Sequence, residues 1–331
     1  MKSTSLQGKD GSTKFANFDR VYILSKCFAL SLINHTASTN FDCIRSDDLK
    51  VDTEISLMTD IAQRKIHQFD NGIRVFDDHL TEGQRTRYRE HNLHEPEEEF
   101  LFLEQILNLP KHGIYVNIGC AIGYYPILAH IKRPDLQFFA VEPLEIHQKF
   151  CRENLELNDI DSDKMTLLPY AISECEGESQ FLEKDYGSRL IIDGGRNPQA
   201  QTKTTLRDWL SLSHLKTILF GSNAASSSAH PLVKVQTKTI DQLIQQLGGT
   251  IHFLQMDIQG LEAAALRGAA ESVKNHSIHR FMIGTHSEAL HQECEAILKS
   301  ADYRIEYSNP VVPQQPDGMI LATADDPNRK I

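Results

Sequence analysis

Apolar and polar positions along the 331-residue chain fall into distinct regimes. Residues 1–20 are rich in Ser, Lys, Gly and Asp with few large apolar side chains, too few to offset the entropy of ordering, so a loose arm is expected. From residue 21 to 68 apolar positions recur at mixed helical spacings, and with the stretch up to residue 94 they suggest an N-terminal helical extension. Within it, NGIRVFDDH at 71–79 opens on an Asn-Gly turn signal and alternates Ile73 with Val75, which predicts one short strand. His91 and His94 have no further ligand spacing and read as a solvated turn.

The pattern sharpens after residue 95. Pro96 followed by Glu97, Glu98 and Glu99 is a helix start, because proline fits the first turn and the macrodipole favours acids there. That helix should end near Leu109-Pro110. Then short apolar runs alternate with amphipathic ones: strand 114–118, helix 124–131, strand 137–141, helix 144–157, strand 165–168. After an interruption come strand 251–256, helix 261–273, strand 278–283 and helix 288–299, closed by two runs at 303–307 and 318–322 around a proline-rich link. Apolar strands joined by helical crossovers predict an α/β fold, a mostly parallel sheet with helices on both faces and an antiparallel edge, over residues 95–331. The interruption at 194–231, with one helical piece around 206–215, is an insertion, either a loop or a lid.

Composition narrows the function classes. Hydrophobic residues make 40% and charged residues 24%, an ordinary globular balance. The formal net charge of −11 has the wrong sign for tracking a phosphate backbone or an anionic membrane, so no nucleic-acid partner is expected. The most apolar early stretch, 21–33, is broken by Lys26 and too short to span a bilayer. Six scattered cysteines without a CxxC pair suit free thiols in a reducing compartment, which points to the cytoplasm.

The chemistry lies in VNIGCAIGYY at 116–125, where a strand meets a helix. Glycines there let backbone approach a ligand, and the helix start offers unpaired N–H groups. The dinucleotide pattern G-x-G-x-x-G fails, since Ala121 and Tyr124 occupy its second and third glycine positions, and no P-loop sequence occurs. As acid-x-G-x-G-x-G, the motif of S-adenosylmethionine (AdoMet) methyltransferases, it matches with Asn117 in the acid position and Ala121 in the middle glycine position. Glu142 ends the following strand, where a carboxylate accepts hydrogen bonds from ribose hydroxyls.

Over residues 95–322 the sequence resembles the FkbM-type methyltransferases, through VNIGCAIGYY, AVEP at 140–143, Asn154 and Asn158, Ala171-Ile172-Ser173 before Gly177, VQTKTID at 235–241 and LQMDIQGLE at 254–262. The last run is similar to the family's K-I-D-V-E-G-x-E, with Gln255 and Gln259 in place of its Lys and first Glu; Gly284 stands where the family often has Glu in E-x-H. The resemblance implies a seven-stranded, Rossmann-like class I methyltransferase domain with AdoMet as cofactor. It places Gly119, Ala121 and Gly123 along the methionine part, Glu142 at the ribose and Ala171 with Ile172 at the adenine, and it counts Asn117, Cys120, Tyr124 and Pro143 with the cofactor site. O-methylation of a sugar, small natural product or glycan is the implied reaction; N- or C-methylation and a binding module without turnover stay open. Asp257 and His286, both at C-terminal strand ends, are the catalytic candidates. Together with Glu262 they do not fix an octahedral set, so no metal is assigned. The acceptor's identity and any homo-oligomer are left open.

Overall fold

The computed structural model describes residues 64–182, 189–191, 232–311 and 317–324. The expected arm, the extension up to residue 63 and the insertion at 194–231 with its helical piece lie outside the described residues. The chain divides into two units between Arg64 and Lys65, and the second unit runs from Lys65 onward.

This unit opens with an antiparallel hairpin of β1 (Ile66–Gln68) and β2 (Arg74–Phe76), turned at Asn71-Gly72 with Gly72 at φ +92°. A 3-10 turn (Asp77–His79) leads to α1 (Glu82–Glu90), whose first turn is closed by a capping box between Thr81 and Gln84. After α2 (Pro96–Leu107) come β3 (Ile114–Ile118), α3 (Tyr124–Lys132), β4 (Gln137–Val141), α4 (Glu145–Leu157) and β5 (Met165–Leu168). A smaller set follows: β6 (Ala171–Ile172), β7 (Gly177–Leu182), β8 (Arg189–Ile191) and β9 (Leu232–Lys238). The chain continues through α5 (Ile240–Leu247), β10 (Phe253–Met256), α6 (Glu262–Arg267), α7 (Ala270–Lys274), β11 (Arg280–Thr285), α8 (Glu288–Ser300), β12 (Tyr303–Asn309) and β13 (Gly318–Ala324).

Seven strands form the main sheet in the order β12-β13-β11-β10-β3-β4-β5. Only β13 is reversed; it pairs antiparallel with β11 on one side and with β12 on the other. Alternate strand residues feed opposite cores, as the two-residue period requires. Tyr115, Phe138, Phe253 and Met282 pack with Phe102 and Ile106 of α2, Ile127 of α3 and Leu155 of α4. Val116, Val141, Leu254 and Phe281 face the other way, onto Leu243 of α5, Leu266 of α6 and Leu298 of α8. Strands buried on both faces explain the continuous apolar runs in the sequence. Among the described residues no helix is long and apolar enough to cross a membrane.

Three differences from the sequence reading have physical reasons. Residues 65–94 are not a helical extension: α1 is their one α-helix, and Phe69, Ile73, Val75, Leu80 and Tyr88 lie in the same core as Phe102 and Ile127. Two asparagines of the α4 region tie that segment down. Asn154, fully buried, accepts from the Phe76 amide at 3.1 Å and donates to the Ile122 carbonyl at 3.0 Å, and Asn158 bonds both the amide and the carbonyl of Arg74. The helix expected at 261–273 is split into α6 and α7 at Gly268, where a Cβ would stand 2.4 Å from the Ser173 carbonyl oxygen. The second sheet, β6-β9-β7-β8, was not foreseen because its strands are short or half exposed; in β9, Val235 and Thr237 are buried while Lys234 and Gln236 face solvent.

Candidate functional site

The parallel strands end together on one side of the sheet, and the turn after β3 is held there in a left-handed conformation: Gly119 has φ +85°, Ala121 +45° and Gly123 +87°. The glycines are demanded by the chain's own neighbours. A Cβ on Gly119 would lie 2.1 Å from the Asp257 carbonyl oxygen, and one on Gly123 would lie 2.7 Å from the Cys151 sulfur of α4. Glu142, 4% exposed, fixes the turn from the next strand end. Its Oε2 accepts from the Ala121 amide at 3.0 Å and its Oε1 from the Leu144 amide at 3.0 Å. A carboxylate has about four lone-pair sites, so each oxygen can still accept from a ligand hydroxyl.

A crevice of about 320 Å³ opens over these strand ends. Asn117, Gly119, Cys120, Ala121 and Tyr124 line one side, and Glu142 with Pro143 the next. Ala171 and Ile172, joined by Tyr170 and Phe181, give it an apolar end, and Asp257 closes the other. Of the sequence candidates, Gly123 and His286 do not line it. Gly123 sits behind the turn against α4, and His286 stands behind Asp257. The sequence reading also missed a wall made by Thr81, Gln84 and Arg87 around α1 and by His94. His94 is not a solvated turn residue: it is half buried, with its ring 4.7 Å from that of Tyr124. The one signal in the sequence was its place directly before the helix start at Glu95-Pro96, leading back over the glycine turn.

Asp257 and His286 form an ion pair, with Nε2 2.9 Å from Asp257 Oδ1; the other ring nitrogen meets Asp317 at 3.0 Å. Burial alone would lower the imidazole pKa, but hydrogen bonds to Asp257 and Asp317 and the nearby Glu262 charge outweigh it and push it up to about 11. His286 is therefore an imidazolium near neutrality and cannot take a proton there. Burial would raise Asp257, yet the His286 bond and charge, with the Gln259 amide at 3.2 Å, hold its carboxyl below the usual range. Glu262, fully buried, accepts from the Ile258 and Gly260 amides. Burial raises its pKa. Ligand atoms of Asp257, Glu262 and His286 lie within 4.8 Å of one another, and ion pairs join them into one cluster.

The departures from the family pattern compensate one another. Asn117 and Gln255 are register partners on β3 and β10, and the Asn117 amide donates to Gln255 Oε1 at 3.3 Å. The Tyr115 hydroxyl reaches the same oxygen at 2.7 Å, while Gln255 donates to Glu98 at 3.2 Å. A neutral amide pair thus stands where the family pattern has an acid and a lysine. Gln259 supplies Asp257 with a donor where the family's Glu would repel it. Gly284 leaves room, since a Cβ there would be 3.3 Å from the Asp257 carboxyl carbon.

The family model described as the methyltransferase FkbM domain matches residues 117–305. Among solved structures, a precorrin-6y C5,15-methyltransferase from Geobacter metallireducens is similar at 11% identity and TM-score 0.38, covering 70% of this chain and 90% of that one. TrmK of M. capricolum, in complex with S-adenosyl-homocysteine, is similar at 12% identity and TM-score 0.32, covering 69% and 71%. A search of the curated proteins returns no match.

Two outcomes follow from this geometry. Asn117→Asp, which buries a carboxylate against the Gln255 oxygen, should cost about 3 kcal/mol, and adding Gln255→Lys should recover at least half of it. Urea midpoints of the two variants check this; equal midpoints for the single and double variants would deny the pairing. The second concerns pH. A folded-state His286 pKa of about 11 against an ordinary 6.5 means its stabilisation is complete below about pH 6.5 and is lost as pH rises toward 11. The stability difference between the wild type and His286→Gln should therefore shrink steadily from pH 7 to 10. A difference that grows with pH would contradict the ion pair.

Proposed function

The chain belongs to the FkbM methyltransferase family and is an AdoMet-dependent methyltransferase, and from that premise we propose that it methylates a hydroxyl of a sugar, another small natural product or a glycan. The observation that carries this reading is the Asp257 carboxylate, held ionised and aimed by His286 at the end of β10, beside the glycine turn and on the crevice wall. The AdoMet site fits the residues present. Spare lone pairs on Glu142 suit the two ribose hydroxyls, and Pro143 lies beside it on the crevice wall. The apolar end at Ala171 and Ile172 suits the adenine, and the turn from Gly119 to Tyr124, with Asn117 and Cys120, suits the methionine part.

When bound, AdoMet supplies an electrophilic methyl on a cationic sulfur. The chain's part is positioning and charge. Asp257 would accept the hydrogen bond of the acceptor hydroxyl and take its proton as that oxygen gains the methyl, the C–S electron pair being left with the sulfur. His286 acts through Asp257 by fixing its rotamer and charge. The negative crevice, with Glu95, Glu142 and Asp257 along its wall, suits a cationic sulfonium and an uncharged acceptor better than a nucleic acid. Buried thiols at Cys120, Cys151 and Cys294 agree with a cytoplasmic setting.

The tests are direct. Glu142→Ala should raise the AdoMet Kd by about 10- to 150-fold, the worth of a charge-assisted bond of about 1.5–3 kcal/mol; an unchanged Kd in a folded variant denies the ribose role. Release of S-adenosyl-homocysteine is then followed with methyl glycosides, oligosaccharides and hydroxylated macrolactones, against amines and RNA as controls. Release with a hydroxyl acceptor supports the reading, and release with amines or RNA alone overturns it.

A further inference from the structure

His94 belongs to none of the motifs that mark the cofactor site, yet its ring lines the same crevice as Asp257. Its Nδ1 lies 2.5 Å from the Tyr88 hydroxyl. The ring also packs 4.7 Å from Tyr124 and 5.9 Å from Tyr125, centroid to centroid, so its orientation is fixed on two sides. Among the described residues no hydrogen bond engages Nε2. A tyrosine hydroxyl can give its proton or accept one; the Tyr88 oxygen already accepts from Arg87 at 3.4 Å, which favours its own proton going to Nδ1 and leaves the ring proton of a neutral histidine on Nε2. Burial and the nearby Arg87 hold the ring neutral, outweighing Glu95, Asp257 and Glu99.

We propose that His94 is an acceptor-binding residue: held by Tyr88, it presents Nε2–H to the acceptor oxygen whose own proton goes to Asp257. This rests on the hydroxyl reading above and adds a selection rule to it. A hydroxyl has one proton and two lone pairs. Its proton engages Asp257, one lone pair accepts from His94, and the second remains for the methyl carbon. A neutral amine has a single lone pair, so it cannot both accept from His94 and attack. The pair His94 and Asp257 thus favours oxygen over nitrogen, and Tyr88 is the positioning residue that sets the tautomer.

The first test needs no acceptor. In the full chain with ¹⁵N-labelled histidine, saturated with S-adenosyl-homocysteine, the His94 signal is assigned by its loss in His94→Gln and checked by its perturbation in Tyr88→Phe. At pH 7 the expected result is a neutral ring with Nε2 protonated and Nδ1 as acceptor; Tyr88→Phe should give mixed tautomers. An imidazolium, or a ring protonated on Nδ1 alone, overturns the proposal while leaving the hydroxyl reading intact. The second test uses whichever glycoside or macrolactone releases S-adenosyl-homocysteine. His94→Phe should raise the acceptor KM by about 10- to 100-fold with the AdoMet Kd within threefold, and His94→Gln, which keeps an N–H donor, should recover part of the loss. An acceptor KM unchanged in His94→Phe also overturns it.

Discussion

The carbonyl oxygen of Asp257 lies where a side chain on residue 119 would begin. That close approach of two strand ends fixes the rest of the site. It forces glycine after β3, bends the turn into left-handed backbone, and sets the Asp257 carboxylate beside the turn that receives the cofactor. Glu142 then holds the turn in place through the Ala121 amide. Packing of protein against protein by itself demands glycine at 119 and 123, and binding inherits a geometry that folding has already imposed.

Much of this was legible in the sequence, for a definite reason. Strands buried on both faces leave apolar runs that a pattern reading finds to the residue, as at β3, β4 and β5. The glycine turn and Glu142 were legible because backbone constraints and charge at a strand end are local properties. What escaped reading was set by distant partners. Tyr88 and His94 gain their place from a fold that brings α1 over the turn, and no local period encodes that. His286 was legible as a residue of the site, but its charge was not, because two aspartates, one of them 31 positions away, hold it as a cation.

The crevice separates its charges by task. The imidazolium of His286 is spent on Asp257 and Asp317, whereas the neutral His94 faces the ligand space. Two residues of one type hold opposite protonation states because one is ringed by carboxylates and the other by aromatic rings with Arg87 nearby. The same economy of charge appears beneath the turn, where Asn117 and Gln255 replace an ion pair by an amide pair and avoid the desolvation cost of burying two ions.

The hydrogen bonds that Asn154 and Asn158 accept from the first hairpin link residues 78 to 84 positions apart. During synthesis the hairpin and α1 leave the ribosome well before α4 does. Their contribution to the crevice wall must wait for those asparagines, so the wall is completed late, after β3, α3 and β4 have been made. The loop closure that delays it also makes it cooperative: a nascent chain cut short before Asn154 would carry the hairpin sequence without the partners that anchor it.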